Sequence, residues 1–313
     1  MHTPNRRRNG ADARPRQSVL SFSADGRLSA RLPTTPNPRD RDELVRVSKE
    51  TLSVLPGLLL TRPDAPPDGH LCDQIPPLDQ NFCPKLPKTR VRVVNMDSID
   101  VAVELAKSRA SRRPVCVLNM ANAIHAGGGF RTGALAQEEA LCYRSSLYFT
   151  LKLRHYPIPE KAAIYSPTVL VIRDNLTRGH DMLDCRDPRQ LPVLAIVSAA
   201  AIFRPLINRV LANPGEENSE MYADADDRLL MAEKMRVVLR TAIRNRHRQI
   251  VLGALGCGAF QNPPREVSQL WATVLQEPEF SGGWWEDVIF AVLSDQQNRN
   301  FWWFEHTLDG LMV

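Results

Sequence analysis

The stretch Val115–Tyr148 reads VCVLNMANAIHAGGGFRTGALAQEEALCYRSSLY, and the interpretation of the whole chain depends on it. An apolar run ends in polar residues and is followed by three glycines. After seven further residues, Gln137-Glu138-Glu139 opens a segment with a helical pattern. A strand, a glycine loop and a helix that begins with two carboxylates together predict acid chemistry beside a bound phosphate.

Apolar runs alternate with amphipathic stretches on both sides of this segment. Strands are predicted at 90–95, 114–119, 169–172, 193–198, 250–252 and 288–293, and helices at 98–108, from 137 onward, at 223–246 and at 266–275. Strands that alternate with helices indicate an α/β layered fold with a largely parallel central sheet.

The predicted domain has extensions at its amino end. Residues 1–38 are rich in Arg, Pro, Ser and Asn, which predicts a disordered basic tail. A helix is predicted from Asp40, and Pro56-Gly57 is expected to end it. A proline-rich stretch at 61–90 predicts an extended wrap over the surface. We therefore expect one domain at 39–313, with the helix and wrap at 39–89, a core at 90–295 and a terminal segment at 296–313.

Composition and charge restrict the possible functions. The chain has 313 residues, of which 43% are hydrophobic, and a formal net charge of +5. No apolar run approaches the roughly 18 to 20 residues of a membrane helix, and the amino-terminal residues lack the apolar segment of a signal peptide. We therefore expect an intracellular protein, in the nucleus, the cytoplasm or both. The positive charge indicates an anionic partner, but its concentration in arginines near the amino terminus does not predict DNA binding.

The six cysteines are scattered without a CxxC pair or a zinc-type spacing, which predicts reduced thiols and no metal site. A disulfide between Cys72 and Cys83 is the less favoured alternative. Cys257 lies between two glycines, and no histidine adjoins it in sequence to activate it as a nucleophile.

Two glycine-rich loops are predicted at strand ends. One contains Gly127, Gly128 and Gly129, and the other is Gly253-Ala-Leu-Gly-Cys-Gly-Ala-Phe260, which follows the strand ending at Leu252. Neither has the spacing of a dinucleotide-binding or P-loop motif, which argues against nicotinamide cofactors and ordinary nucleoside triphosphatases. Both loops would lie at the carboxyl edge of the sheet, where they could hold a pyrophosphate from two sides. The alternative for the triple glycine is a flexible turn.

Glu138 and Glu139 are the candidates for catalysis. Neighbours on a helix point about 100° apart, so one carboxyl can bind a sugar hydroxyl while the other faces the bond that breaks. A like charge next door and an anionic ligand favour the protonated acid, whereas a helix N-terminus favours the carboxylate. The alternative is that these are ordinary acidic residues of a first helical turn.

The combination of these motifs resembles the microbial-type poly(ADP-ribose) glycohydrolases, which have a macrodomain fold. The resemblance rests on Asn119-Met-Ala-Asn122, the triple glycine and Gln137-Glu138-Glu139, together with VVNMDSIDVA, YSPTVLVIRD and GALGCGAFQNPP, and it extends over most of residues 40–295. It implies a macrodomain-like three-layer α/β/α fold with a mixed, largely parallel central sheet and an N-terminal helical extension.

The resemblance also implies roles for individual residues. Glu139 matches the catalytic acid, and Glu138 matches the residue that holds the ribose next to the scissile bond. Asn122 would orient the distal ribose, Phe260 would pack near it, and Asp97 would accept a hydrogen bond from the adenine amino group. The remaining substrate-binding residues implied are Gln137, the first phosphate loop of Gly127, Gly128 and Gly129, and the second phosphate loop of Gly256, Cys257, Gly258 and Ala259.

The function implied is hydrolysis of the ribose–ribose bonds of poly(ADP-ribose), with Glu139 as general acid and then general base and with no metal or cofactor. The expected partners are poly(ADP-ribose), ADP-ribose and ADP-ribosylated proteins, the expected state is a monomer, and the expected context is reversal of ADP-ribosylation in the DNA damage response. Two alternatives remain open. One is a reader that binds ADP-ribose without cleaving it, and the other is a hydrolase of mono-ADP-ribosylated proteins.

Other polar and aromatic residues carry weaker hypotheses. His125 would touch phosphate or simply be solvated, and Arg144 and Arg173 would meet a polyanion or be surface cations. The tryptophans Trp284, Trp285, Trp302 and Trp303 would form a stacking surface or dock the terminal segment on the core.

Overall fold

The structure is a computed structural model that describes residues 38–108, 113–210, 219–294 and 299–313. The predicted disordered tail at 1–38 lies outside the described residues except for Pro38, which begins the first helix.

A seven-stranded sheet forms the centre of the domain, in the order β1-β4-β5-β3-β8-β9-β2. Its strands are β1 (His70–Cys72), β2 (Arg92–Val94), β3 (Cys116–Met120), β4 (Ala163–Leu170), β5 (Val193–Ala199), β8 (Gln249–Leu252) and β9 (Asp287–Ala291). The five strands from β5 to β2 are parallel, and β4 is antiparallel to both β1 and β5. A separate hairpin pairs β6 (Ile207–Val210) with β7 (Ser219–Tyr222).

Helices cover both faces of the sheet. They are α1 (Pro38–Leu60), α2 (Ser98–Ser108), α3 (Gln137–Arg144), α4 (Leu147–Thr150), α5 (Ala225–Arg244), α6 (Pro264–Gln276) and α7 (Asn300–Leu308). Alternate residues of β3 separate the two layers: Cys116 and Leu118 pack with α5, α6 and α7, whereas Val117 packs with α1, α2 and α3. Burial on both faces explains why the central strands are continuous apolar runs. The predicted α/β class with a mixed, largely parallel sheet is confirmed.

The helix predicted to end at Pro56-Gly57 continues through this pair to Leu60, so that boundary was wrong. A proline removes one helical hydrogen bond, but the turn before it already holds Leu55, which is fully buried. Tertiary packing therefore outweighs the local preference of the pair.

The stretch predicted as an extended wrap over the surface at 61–90 contains an additional strand, β1, which pairs with β4 through His70 opposite Tyr165. The hairpin β6–β7 and helix α7 were also not predicted. None of the helices among the described residues has the length and apolar character needed to cross a lipid bilayer.

The parallel strands β3, β5 and β8 lie side by side, so the segments after their carboxyl ends meet at one edge. These segments begin at Ala121, Ala200 and Gly253. The same edge receives the N-terminus of α3, whose Gln137 binds the end of β3. The fold therefore brings both predicted glycine loops and both glutamates to one edge of the sheet, as expected for open α/β sheets.

Candidate active site

Helix α3 is attached to the carboxyl end of β3 through Gln137. Its side-chain oxygen accepts a hydrogen bond from the Met120 amide at 2.9 Å, and its side-chain nitrogen donates to the Leu118 carbonyl at 2.7 Å. The nitrogen also lies 3.3 Å from the Ser98 hydroxyl. Both ends of the Gln137 amide are engaged within the protein, which fixes the start of α3 on β3. The predicted contact of Gln137 with substrate stays a prediction.

Glu138 is buried beneath the loop that follows β3. One carboxyl oxygen accepts from the Asn122 amide at 2.8 Å, and the other accepts from the Asn119 side chain at 3.3 Å. Only 3% of the residue is exposed. Burial is the main cause that raises the pKa of Glu138 to about 8, and the neighbouring Glu139 acts in the same direction. The amide donors oppose this shift without cancelling it.

Glu139 lies against the first glycine loop. One carboxyl oxygen accepts from the Gly129 amide at 2.7 Å, and the other accepts from the Ala136 amide at 3.1 Å, at the start of α3. The residue is 8% exposed, so it is somewhat closer to solvent than Glu138. The two adjacent glutamates thus have different surroundings, one under the strand end and one under the glycine loop.

Gly128 lies between the two carboxyl groups. A Cβ atom at this position would be 2.4 Å from Oε1 of Glu139 and 3.1 Å from Oε2 of Glu138, and the backbone φ is +54°. Both observations require glycine. The need for glycine at position 128 is therefore explained without a bound ligand. Glycine allows the two carboxyl groups to approach the backbone.

The amides of the first glycine loop were expected to bind phosphate, but two of them donate hydrogen bonds within the protein. Gly128 donates to the His125 carbonyl at 3.0 Å, and Gly129 donates to Glu139. Gly127 lies against the Tyr148 ring. Contact of this loop with phosphate therefore stays a prediction, since two of its amides are already bonded inside the protein.

Asn122 shapes the loop that carries His125. Its side-chain oxygen accepts from the Ile124 amide at 2.8 Å and from the His125 amide at 2.9 Å. With both amides on the oxygen, the side-chain NH2 group of Asn122 is oriented by the loop itself. Its predicted contact with a ribose is not tested by this arrangement and stays a prediction.

The second glycine loop, Gly256 to Phe260, packs against the segment after β5. Gly256 has φ +77°, and a Cβ there would lie 2.5 Å from the Ala201 methyl group. Within the described part of the chain, the amides of Gly258, Ala259 and Phe260 donate to no protein acceptor. A Cβ at Gly258 would meet nothing within 4 Å. This loop therefore offers open backbone donors of the kind that bind phosphate.

Cys257 is a structural residue of this loop. Only 6% of it is exposed, and burial raises the pKa of its thiol. A buried thiol whose pKa is raised is a poor nucleophile. Any part that Cys257 plays in binding would therefore come from its backbone, and its amide already donates to the Ala254 carbonyl at 3.0 Å.

Asp97 caps helix α2 and pairs with Arg144. Its Oδ1 accepts from the Ile99 amide at 2.8 Å and also meets the Arg144 guanidinium, which binds Asp100 at 2.6 Å. The predicted contact of Asp97 with adenine would have to use the other oxygen. Arg144 and Arg173 are each only 3% exposed. Neither of the two hypotheses for these arginines, polyanion contact or surface cation, is correct.

Sequence reasoning missed Asn119 as a site residue. Its amide nitrogen donates to Glu138 and to the Ser198 hydroxyl at 3.0 Å, and its oxygen is buried without a partner among the described residues. The polar asparagine inside an apolar strand was the signal available. No group of His, Cys, Asp and Glu side chains suited to a metal ion occurs in the described ranges.

A cavity of about 420 Å³ lies along the edge strand β2, between Arg90, Glu104 and Glu286. Strand β2 is three positions from β3 in the sheet. The cavity contains none of the predicted site residues, so it is separate from the candidate active site.

Comparisons with known proteins show which family and which solved structures the chain resembles. Residues 77–174 match the family model described as microbial-type PARG, catalytic domain. No curated protein matches the chain. The solved structure of poly(ADP-ribose) glycohydrolase from Thermomonospora curvata is 24% identical, with a TM-score of 0.68, and the match covers 85% of this chain and 100% of that one.

Two further solved structures contain ligands. The Thermomonospora curvata enzyme bound to the inhibitor ADP-HPD is 23% identical, with a TM-score of 0.67 over 85% of this chain and 99% of that one. The Deinococcus radiodurans enzyme in complex with ADP-ribose is 25% identical, with a TM-score of 0.58 over 81% of this chain and 97% of that one. Together with the family match, they confirm the resemblance inferred from the motifs.

Proposed function

We propose, from the match of residues 77–174 to the microbial-type PARG catalytic domain and from the fold shared with solved PARG structures, that this chain is a poly(ADP-ribose) glycohydrolase. It hydrolyses the ribose–ribose glycosidic bonds of the polymer and releases ADP-ribose. The observation that carries the proposal is the pair of buried carboxyl groups that converge on Gly128, at the sheet edge where the second glycine loop has unused amides.

Glu139 is the general acid in this proposal. Its carboxyl group lies at the first glycine loop, and the residue is more exposed than Glu138, at 8% against 3%. It gives a proton to the leaving ribose oxygen while the anomeric carbon gains oxocarbenium character, and the resulting carboxylate then activates water.

Glu138 and Asn122 hold the ribose next to the scissile bond. The Asn122 amide donates a hydrogen bond to Glu138, which holds the two residues together. The amides of Gly258, Ala259 and Phe260 bind the pyrophosphate, since preorganised backbone donors stabilise negative charge without reorganisation.

The cellular setting follows from the substrate. The enzyme acts inside the cell, in the nucleus, the cytoplasm or both, on ADP-ribosylated proteins, including those modified after DNA damage. All six cysteines are free thiols, which supports a reducing compartment.

The first test follows release of ADP-ribose from purified polymer. The unmodified chain releases it, and Glu139→Gln lowers kcat by at least about 100-fold, the usual effect of removing a general acid. An amide oxygen keeps one of the two backbone hydrogen bonds of Glu139, so ADP-ribose binding is largely retained. Glu305→Gln, at an exposed position on α7, is the charge-matched control and keeps full activity.

The same assay separates the alternatives. An unmodified chain that binds ADP-ribose but leaves the polymer intact is a reader. Faster release from a mono-ADP-ribosylated protein than from polymer would indicate the mono-ADP-ribosyl hydrolase. If Glu139→Gln retains substantial activity, the general acid is not Glu139. Glu138, whose pKa is raised, is then the second candidate.

A further inference from the structure

An aromatic platform of Phe203 and Phe260 lies beside the second glycine loop. The rings meet edge to face with centroids 5.1 Å apart, and 65% of Phe203 is exposed. The guanidinium carbon of Arg204 lies 5.4 Å from the centre of the Phe203 ring. A single exposed aromatic side chain needs no functional explanation, but Phe203 is held in place by the contacts of its neighbours.

The backbone around Phe203 is fixed on both sides. The carbonyl of Ile202 accepts from the side chain of Asn262 at 2.7 Å, and the amide of Arg204 donates to the carbonyl of Phe260 at 2.9 Å. Arg204 has φ +50°, a conformation unfavourable for a residue with a side chain. Such a conformation persists only where the surrounding structure enforces it, and it is enriched at ligand sites.

The platform lies at the same edge of the sheet as the two glutamates. Strand β5 leads into it, and the hydroxyl of Ser198 on β5 accepts from Asn119, which also donates to Glu138. Three residues after Ser198, Ala201 packs on Gly256 of the second glycine loop. Strand β5 therefore connects the segment of Phe203 to the residues around Glu138, and the ring of Phe203 packs on Phe260 of the second glycine loop.

The chemistry of the polymer supplies an occupant for this face. The bond that is cleaved joins the anomeric carbon of one unit to a ribose hydroxyl of the adenosine in the next unit. The leaving group therefore carries an adenine base close to the scissile bond and a pyrophosphate beyond it. Aromatic side chains bind nucleobases by stacking, and Arg adds attraction for phosphate.

We propose that Phe203 and Arg204 form a leaving-group subsite, in which Phe203 stacks on the adenine of the next polymer unit and Arg204 faces its pyrophosphate. This inference rests on the proposed function and extends it. The subsite distinguishes polymer from a single ADP-ribose unit, because only the polymer has an adenosine at that position.

The test compares two ligands in the Glu139→Gln background, in which turnover is at least about 100-fold slower. The ligands are ADP-ribose and a purified oligomer of two ADP-ribose units, and calorimetry gives each Kd. Phe203→Ala raises the Kd of the oligomer by about tenfold, in the range of one lost base-stacking contact, and leaves the Kd of ADP-ribose unchanged. Phe203→Trp retains oligomer binding because it keeps an aromatic face.

Two further variants distinguish binding at the subsite from the effect of removing any exposed side chain of this segment. Leu206→Ala removes another exposed side chain of the same segment and changes neither Kd. Arg204→Gln weakens oligomer binding and makes it less dependent on salt, because one phosphate contact is lost. In the chain with Glu139 intact, Phe203→Ala lowers kcat/KM on polymer by about the same factor as it weakens oligomer binding.

Two results would overturn the subsite. One is an unchanged Kd for the oligomer in Phe203→Ala, and the other is an equal loss of affinity for both ligands, which would mean that Phe203 acts by supporting the glycine loop. Failure of the unmodified chain to cleave polymer is a different result. It would reject the proposed function, whereas the comparison of the two Kd values would still decide whether the platform binds adenosine.

Discussion

At the residue scale, the carboxyl groups of Glu138 and Glu139 leave no space for a side chain at Gly128. The motif in the sequence suggested a phosphate loop, but the geometry gives this glycine a second purpose, since a side chain would push the carboxyl groups of Glu138 and Glu139 apart. The contrast with Gly258 is direct, because a Cβ there would meet nothing in the protein and its φ is not in the positive range.

This contrast predicts different results for two glycine-to-alanine variants. Gly128→Ala displaces the Glu139 carboxyl group and lowers turnover by at least about 100-fold, since an error near 1 Å in a catalytic group has that effect. Gly258→Ala leaves the melting temperature unchanged and raises the Kd of ADP-ribose by about tenfold, the equivalent of one hydrogen bond. Thermal melting and calorimetry of both variants check this. Unchanged affinity in Gly258→Ala would show that the second loop does not approach the ligand closely.

Glu138 introduces a dependence of stability on pH. In the unfolded chain its pKa is near 4.5, and in the folded protein burial raises the pKa to about 8. Between these values the folded protein binds more protons than the unfolded chain, so its free energy of unfolding falls as pH rises, by up to about 1.4 kcal/mol per pH unit. The contribution of protonated Glu138 to the free energy of unfolding is fully present below pH 4.5 and is lost as pH rises through 8.

Glu138→Gln isolates this effect, because the variant has no proton to lose. Its amide oxygen can keep the hydrogen bond that the Asn122 amide donates to Glu138. Urea unfolding at pH 5, 6, 7 and 8 will show the unmodified protein losing stability relative to the variant across this range. Parallel stability curves would mean that Glu138 remains ionised in the folded protein throughout.

Local motifs identified Glu138, Glu139, Asn122 and the glycines because they lie close together in the sequence. The contacts of Asn119 with Ser198 and of Phe203 with Phe260 join strands or loops that are distant in the chain. These contacts depend on which strands pair in the sheet. The sequence close to each residue does not indicate that pairing.

At the element scale, helix α1 supports the site from outside the sheet. Arg41 donates to the Thr132 carbonyl at 2.8 Å, and its own carbonyl oxygen lies where a Cβ of Gly133 would be. Farther along the helix, Thr51 donates to the Tyr143 carbonyl on α3 at 2.9 Å. The amino-terminal helix therefore contacts both the first glycine loop and the helix that carries the glutamates.

Shortening the chain tests this role. A chain starting at Pro38 keeps the melting temperature and the ADP-ribose affinity of the full chain, because α1 is complete. A chain starting at Thr61 loses Leu44, Val47 and Leu55, each at most 3% exposed and worth roughly 2 kcal/mol of burial. We expect it to fail to fold or to melt far lower. Equal melting temperatures would show that α1 is a dispensable attachment.

Elements with strong periodicity were predicted well, and short ones were not. The strand predicted at 169–172 was also wrong in its bounds, since β4 spans Ala163–Leu170. Helix α2 spans Ser98–Ser108 as expected, and β5 and α6 agree to within two residues at each end. Strand β1 has only three residues, and its apolar pattern is too short to distinguish it from a loop until β4 is beside it. Helix α7 was missed because its aromatic residues suggested docking of the terminal segment and not a helix.

At the scale of the whole molecule, the layered architecture was predictable because the order of strands and helices along the chain restricts how they can stack. The antiparallel placement of β4 between β1 and β5 was not predictable in the same way, since its apolar run is compatible with either direction. The edge at which the site lies follows from the parallel strands alone, and this is why the two glycine loops were expected to meet.

The attachment of α3 at both ends affects the time course of binding. Its first turn is bonded to β3 and the glycine loop through Gln137 and Glu139, and its last residue, Arg144, is bonded to the start of α2. An eight-residue helix held in this way has little freedom to rotate or slide. Both carboxyl groups are therefore in position before substrate arrives. Encounter with ADP-ribose should proceed in one kinetic phase, with a rate that rises in proportion to ligand concentration and no slower rearrangement behind it.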